Sequence, residues 1–95
     1  RVTEINRYLA ARNRLPVEQG LYISSVVRGG PADRAGLGPG DIITAVGGKD
    51  IATATDLQKA IYTADIGDTL EFTVIGTNRR ERTARVVLTE APTSR

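Results

Sequence analysis

Ninety-five residues, 40% of them hydrophobic, suit one small domain that folds around an apolar core without disulfides or metal. The chain has neither Cys nor His, which excludes a disulfide framework, a Cys-His pair, a Ser-His-Asp triad and a His-ligated metal centre within these residues. Thirteen Lys and Arg against eleven Asp and Glu leave a net charge of +2, too weak a field to draw a polyanion unless the cations cluster, and no apolar run approaches the ~20 residues of a membrane span.

The chain opens on Arg1 and contains no Met, so it is expected to be cut from something longer. Asn6 predicts a helix cap, and Ile5, Leu9 and Arg12 or Asn13 follow at helical spacing, giving a helix over about 6–14. After Gly20 the period becomes two, with Leu21, Ile23 and Ser25 alternating with Tyr22, Ser24 and Val26, which predicts a strand over 21–27. Gly29-Gly30 ends it, and Pro31 opens a helix of one or two turns reaching Ala35.

The stretch "AGLGPGDII" (35–43) reads as a stop and a turn. Gly36 stands where a helix ends in a left-handed residue, and Leu37 folds back as its apolar seal. Gly38-Pro39-Gly40 turns the chain, the Asp41 carboxylate is placed to accept amides from that turn, and Ile42, Ile43 and Val46 run on as a buried strand. A phosphate loop is the rival reading, but no Lys follows at Walker spacing and no GxGxxG occurs. Gly47-Gly48 predicts a hairpin turn into a short strand near Ile51. Thr53 with Asp56, or Thr55 with Gln58, makes a capping box opening a helix over 54–64, with Leu57, Ala60, Ile61 and Ala64 as its apolar stripe. Beyond Gly67-Asp68, two alternating strands follow, Leu70/Phe72/Val74 and Ala84/Val86/Leu88, joined by a polar loop over 76–82. The segment 91–95 has no periodicity and reads as a linker, leaving the domain at 1–90.

Chemistry is sparse. Ser24 and Ser25 lie mid-strand without a base, and Asp41, Asp65 and Asp68 sit at turns, where capping is the ordinary use. Arg79, Arg80, Arg82 and Arg85 gather on the last hairpin, but no aromatic residue interleaves with them, and alternation sends Arg82 and Arg85 to opposite faces. A solvated hairpin fits these arginines better than a nucleic-acid platform. The expectation is no catalytic residue, no metal and no cofactor.

The order of helix, strand, "GGPADRAGLGPGDIITAVGGKDI", helix "TATDLQKAIYTA" and two closing strands resembles the PDZ domain that follows the protease domain in bacterial HtrA-type (DegP/DegQ-like) serine proteases. The segment "INRYLAARNRLPVEQG" is similar to the helical insertion of those domains. The resemblance covers nearly the whole chain. It implies an α+β fold: a small, partly open antiparallel β-barrel or sandwich of about five strands, capped by two main helices, plus the N-terminal helical insertion. It also implies a peptide-binding module, which takes a C-terminal or extended peptide as an added strand beside a groove closed by a helix. The implied partners are unfolded chain ends and the protein's own protease domain in the bacterial envelope, with no nucleic acid and no membrane contact by this fragment. Tail-specific proteases, site-2 metalloproteases and secretion-system scaffolds are alternative hosts for such a domain.

By the register of the resemblance, the loop that receives a peptide's carboxylate should stand before Arg1, and Gly20-Leu21-Tyr22-Ile23 belongs instead to a strand inside the sheet. The expected edge for the added strand is Arg1–Ile5, with Val2 facing the groove and Glu4, like Val2, among the expected peptide-binding residues. Across from it the helix offers Ala54, Gln58 and Ile61, spaced to share a face, with Leu57 in the core. For Ile61 the competing role is core packing, and for Gln58 plain exposure.

Overall fold

A computed structural model describes residues 2–88; Arg1 and the 91–95 linker lie outside the described residues. Six antiparallel strands form one sheet, ordered β1 (Val2–Glu4), β2 (Leu21–Ile23), β3 (Ile42–Val46), β5 (Thr69–Ile75) and β6 (Glu81–Val87), with β4 (Lys49–Asp50) paired to β3 off this path. Among the described residues three helices, α1 (Arg7–Asn13), α2 (Pro31–Arg34) and α3 (Ala54–Tyr62), complete the α+β fold.

Alternation distributes the apolar side chains to both faces of the sheet. On one face Leu21, Ile23, Ile43, Phe72, Val74 and Val86 form the main core, against which Leu57 and Ala60 of α3 and Ala32 of α2 pack. On the other, Ile42, Ile75 and Tyr22 meet Ile5 and Ala10, so the helical insertion covers this second face. Asn6 caps α1 as expected, its Oδ1 accepting the Leu9 amide at 2.7 Å. Consecutive burial of Ile42 and Ile43 is explained by this two-sided layering, because each serves a different core.

The turn at 35–43 is built as the sequence implies. Gly36 has φ +87°, where a side chain is strained even though a Cβ there would meet no atom within 4 Å. The Leu37 amide bonds back to the Ala32 carbonyl at 3.0 Å, and the Leu37 side chain is buried. Asp41 Oδ2 accepts the Gly38 amide at 3.0 Å.

Three expectations need correction. The strand predicted over 21–27 pairs only as Leu21–Ile23. Opposite Ile23 the Gly38–Gly40 turn carries the neighbouring chain away, with the Gly40 amide making its last bond to the Ile23 carbonyl at 2.9 Å. Freed from the pleat, Val26 packs against the main core instead of facing Tyr22's side. The closing hairpin loop is shorter than 76–82, because pairing of Ile75 with Glu81 extends β6 to Glu81. The helix predicted over 54–64 spans Ala54–Tyr62, with Thr63 as its C-cap.

Candidate functional site

β1 ends one side of the sheet, and α3 packs across from it. Antiparallel neighbours alternate between residues that exchange backbone hydrogen bonds and residues that do not. The Ile5 amide bonds to the Gly20 carbonyl at 2.9 Å, and the register pairs Thr3 with Tyr22 two residues along. Ile5 and Thr3 therefore spend their main-chain groups on β2, while the N–H and C=O of Val2 and Glu4 point to the open edge. The side chains of Val2 and Glu4 share one face of β1, the face toward α3.

Between Val2 and α3 lies a cleft of about 320 Å³. Its walls are Val2, Ile23, Val26, Leu57, Ile61 and Leu88 among others, and among the described residues Ser25 is the one polar side chain that lines it. Such a space accepts an aliphatic or aromatic group and gives a charged one nothing to pair with. Ile61, expected either in the core or at a ligand, is 40% exposed at the cleft. Leu57 both packs on the core and lines the cleft.

Of the five residues singled out from the sequence, the structure brings Val2 and Ile61 together. Glu4 and Ala54 form a second pair: Glu4 Oε2 accepts the Ala54 amide at 2.9 Å, tying the edge strand to the first residue of α3. Gln58 is exposed and does not line the cleft. Gly20-Leu21-Tyr22-Ile23 has no free main-chain edge along β2, since that strand pairs with both β1 and β3. Gly20 itself, at φ +138°, lies so near β3 that a Cβ would stand 2.8 Å from the Ile43 carbonyl oxygen.

The wall of the cleft is held in place by the start of α3. Of the two possible capping boxes, Thr53 with Asp56 forms: Thr53 Oγ1 accepts the Asp56 amide at 3.1 Å, and Asp56 Oδ2 accepts the amides of Thr53 at 3.2 Å and Ala52 at 3.1 Å. Those bonds, the Ala52 amide first and the Thr53 amide next, hold the Asp56 carboxyl below its ordinary pKa, because they stabilise the ionised form.

Sequence reasoning missed two contributors. Val27 is 72% exposed at the cleft rim; two adjacent valines before Arg28-Gly29-Gly30, only one of which can turn inward, were the available signal. Arg82, though exposed, also makes specific contacts, its guanidinium donating to the Gly36 carbonyl at 2.9 Å and pairing with Asp41 at 3.1 Å. Arg82 has the same parity as buried Ala84 and Val86, and that parity was the clue. Arg85, on the opposite face, meets Glu71 at 3.5 Å in solvent.

The family model described as "PDZ domain" matches residues 3–88. A Do-like HtrA serine protease of Bacillus subtilis is 40% identical over 73 residues, covering 76% of this chain and 16% of that protein. A DegP-like serine endoprotease of Hahella chejuensis, whose name places it in the periplasm, is 31% identical over 74 residues, covering 78% of this chain and 16% of that protein. The chain thus spans less than a fifth of the length of the curated relatives it matches. Among solved structures, the HtrA3 PDZ domain bound to a phage-derived ligand, FGRWV, aligns with TM-score 0.78 and 26% identity over 92% of this chain and 78% of that one. The HtrA-type protease AlgW with a decapeptide aligns with TM-score 0.83 over 98% of this chain and 28% of that one; at 22% identity it speaks for the fold alone.

Proposed function

Because this chain belongs to the PDZ domain family, we propose that it binds an extended peptide as an added strand on the open edge of β1, with one apolar side chain seated between Val2 and Ile61. One observation carries this reading. The residues whose main chain faces the open edge, Val2 and Glu4, are also the residues whose side chains face α3 and its cleft. A strand added there would bond to the Val2 and Glu4 backbones and place every second side chain toward the helix. Main-chain bonds give affinity, and the cleft selects an apolar anchor.

The longer serine proteases among its relatives support a wider role: a module of a bacterial envelope protease that holds unfolded chain ends for its own protease domain. The HtrA3 ligand supplies a probe. Titrating FGRWV to about 1 mM into the labelled chain, followed by NMR, is expected to shift the amides of Val2 and Glu4 and the methyls of Ile61 while the amides of Glu81, Thr83 and Arg85, on the outer edge of β6 and away from the cleft, stay in place. Shifts confined to that outer edge, or none at all, would overturn the assignment.

A further inference from the structure

Glu4 is a charged residue placed where a ligand strand would pass. It stands two residues along β1 from Val2, so the two side chains share a face about 7 Å apart. Val2 lines the apolar cleft. Glu4 instead reaches α3, its Oε2 accepting the Ala54 amide at 2.9 Å. That contact anchors the carboxylate at the first residue of α3. A carboxylate has about four acceptor sites, so one amide does not exhaust it.

The charges around Glu4 leave a cation wanting. On the far side of Glu4 from the cleft is a polar recess, which Glu18, Asp50 and Arg7 also line. Arg7 lies 3.7 Å from Glu18. Among the described residues, neither Glu4 nor Asp50 has a cation within salt-bridge distance. Glu4 lines this recess and not the apolar cleft, so along β1 the apolar cleft at Val2 is followed, two residues on, by a carboxylate held at the start of α3.

We infer that Glu4 selects peptides carrying a cationic side chain two residues before the residue that fills the apolar cleft. The inference rests on the peptide-binding reading above. An antiparallel strand on β1 that sets one residue opposite Val2 sets the residue two positions earlier opposite Glu4. Both then point toward α3. Directly opposed residues have Cβ atoms about 5 Å apart, within which opposite charges attract and like charges repel. Lys or Arg at that position can bond to the Glu4 carboxylate while the Ala54 contact stays intact. An acidic residue there faces Glu4 with no intervening cation.

The competing role for Glu4 is a purely structural one, as an external cap on α3. The two separate in a comparison of FGRWV with FGQWV on the whole chain and on Glu4→Gln, which keeps an acceptor for the Ala54 amide. In the wild type the Arg peptide is expected to bind roughly two- to fivefold more tightly than the Gln peptide, with the ratio falling as salt rises. In Glu4→Gln the ratio should approach one at a little-changed melting temperature. A third peptide, FGEWV, tests the same point without altering the protein and should bind the wild type about twofold more weakly than FGQWV. If all three peptides shift Val2 and Ile61 with equal affinity, or the Arg preference survives in Glu4→Gln, Glu4 is a cap only and the peptide reading stands without it. If none shifts Val2 and Ile61, both readings fall together.

Discussion

The two ends of the sheet path, β1 and β6, expose the same kind of backbone and differ in what stands beside it. On β6, the Gly76 amide bonds to the Arg80 carbonyl and the Leu88 amide to the Asp68 carbonyl, at 3.0 and 2.9 Å. Even-numbered residues of β6 thus bond to β5, and Glu81, Thr83, Arg85 and Val87 turn their main chain outward. The side chains of these four are all exposed, so a strand added there would find charge and water, with no cleft. On β1, Val2 and Glu4 turn their main chain outward and their side chains toward α3. Unpaired N–H and C=O groups alone do not make a receptor for a peptide. What distinguishes β1 is the parity that couples its free backbone to a cleft, while the charges on β6 deter edge pairing.

The sharpest way to break this contrast is to charge the cleft. Ile61→Asp places a carboxylate where an apolar ligand side chain would lie, stranding an unpaired charge when the peptide covers it. Affinity for FGRWV should fall by on the order of tenfold or more. Stability should change by less than about 0.5 kcal/mol, the usual range for surface positions, because Ile61 is already 40% exposed. Calorimetry and a thermal melt on the same sample check both halves. Undiminished binding would move the anchor away from α3.

On the β6 side the expected effects reverse, touching the fold and sparing the ligand. Arg82 clamps β6 to the turn through the Gly36 carbonyl and Asp41, and α2 packs against β6. Gly36→Val forces a β-branched residue into φ +87° and should cost about 1–3 kcal/mol of stability. For a domain of this size, each kcal/mol lowers the melting temperature by about 4–8 °C. Leu37, the next residue, lines the cleft, so below the transition peptide affinity should fall by less than it does in Ile61→Asp. A melt unchanged within a degree would show that the turn tolerates a side chain, and a large loss of binding would show that the two edges are coupled.

Most of the fold could be read before the structure because local chemistry and long-range packing agree there. Asn6, Pro31, Gly36, Asp41 and the Thr53–Asp56 box do what their types and spacing imply. The readings that failed depend on a neighbour in space. β2 stops at Ile23 because the chain beside it turns away, which period-two alternation inside 21–27 cannot reveal. The geometry of the candidate site was only partly legible. Val2 and Ile61 line one cleft, but Gln58, which shares its helical spacing with Ile61, does not, and spacing alone does not say which of the two looks inward. Glu4's contact with Ala54 spans fifty positions of sequence, and no local pattern announces it. Alternation placed Arg82 and Arg85 on opposite faces, but the Arg82 contacts with Gly36 and Asp41 span more than forty positions of sequence, and no local pattern announces them either.

The smallest expected effect concerns how the cleft wall is held, and it is read by pH. Asp56 binds the Ala52 and Thr53 amides, which lowers its pKa in the folded protein. The unfolded chain lacks those bonds, so it takes up a proton at a higher pH than the folded one. The resulting stabilisation is complete above the unfolded-state value and is lost as pH falls through the folded-state value. In Asp56→Asn no such titration exists, and this variant should be less stable than wild type near neutrality. As pH is lowered from about 4.5 to about 2.5, wild type should lose stability faster, and the gap between the two should narrow. Urea midpoints taken across that range test it, with the remaining carboxylates common to both proteins and cancelling in the difference. Parallel pH profiles would mean that the Asp56 carboxylate does not stabilise the start of α3, and that the cleft wall rests on Leu57 and Ala60 packing and the Glu4–Ala54 contact.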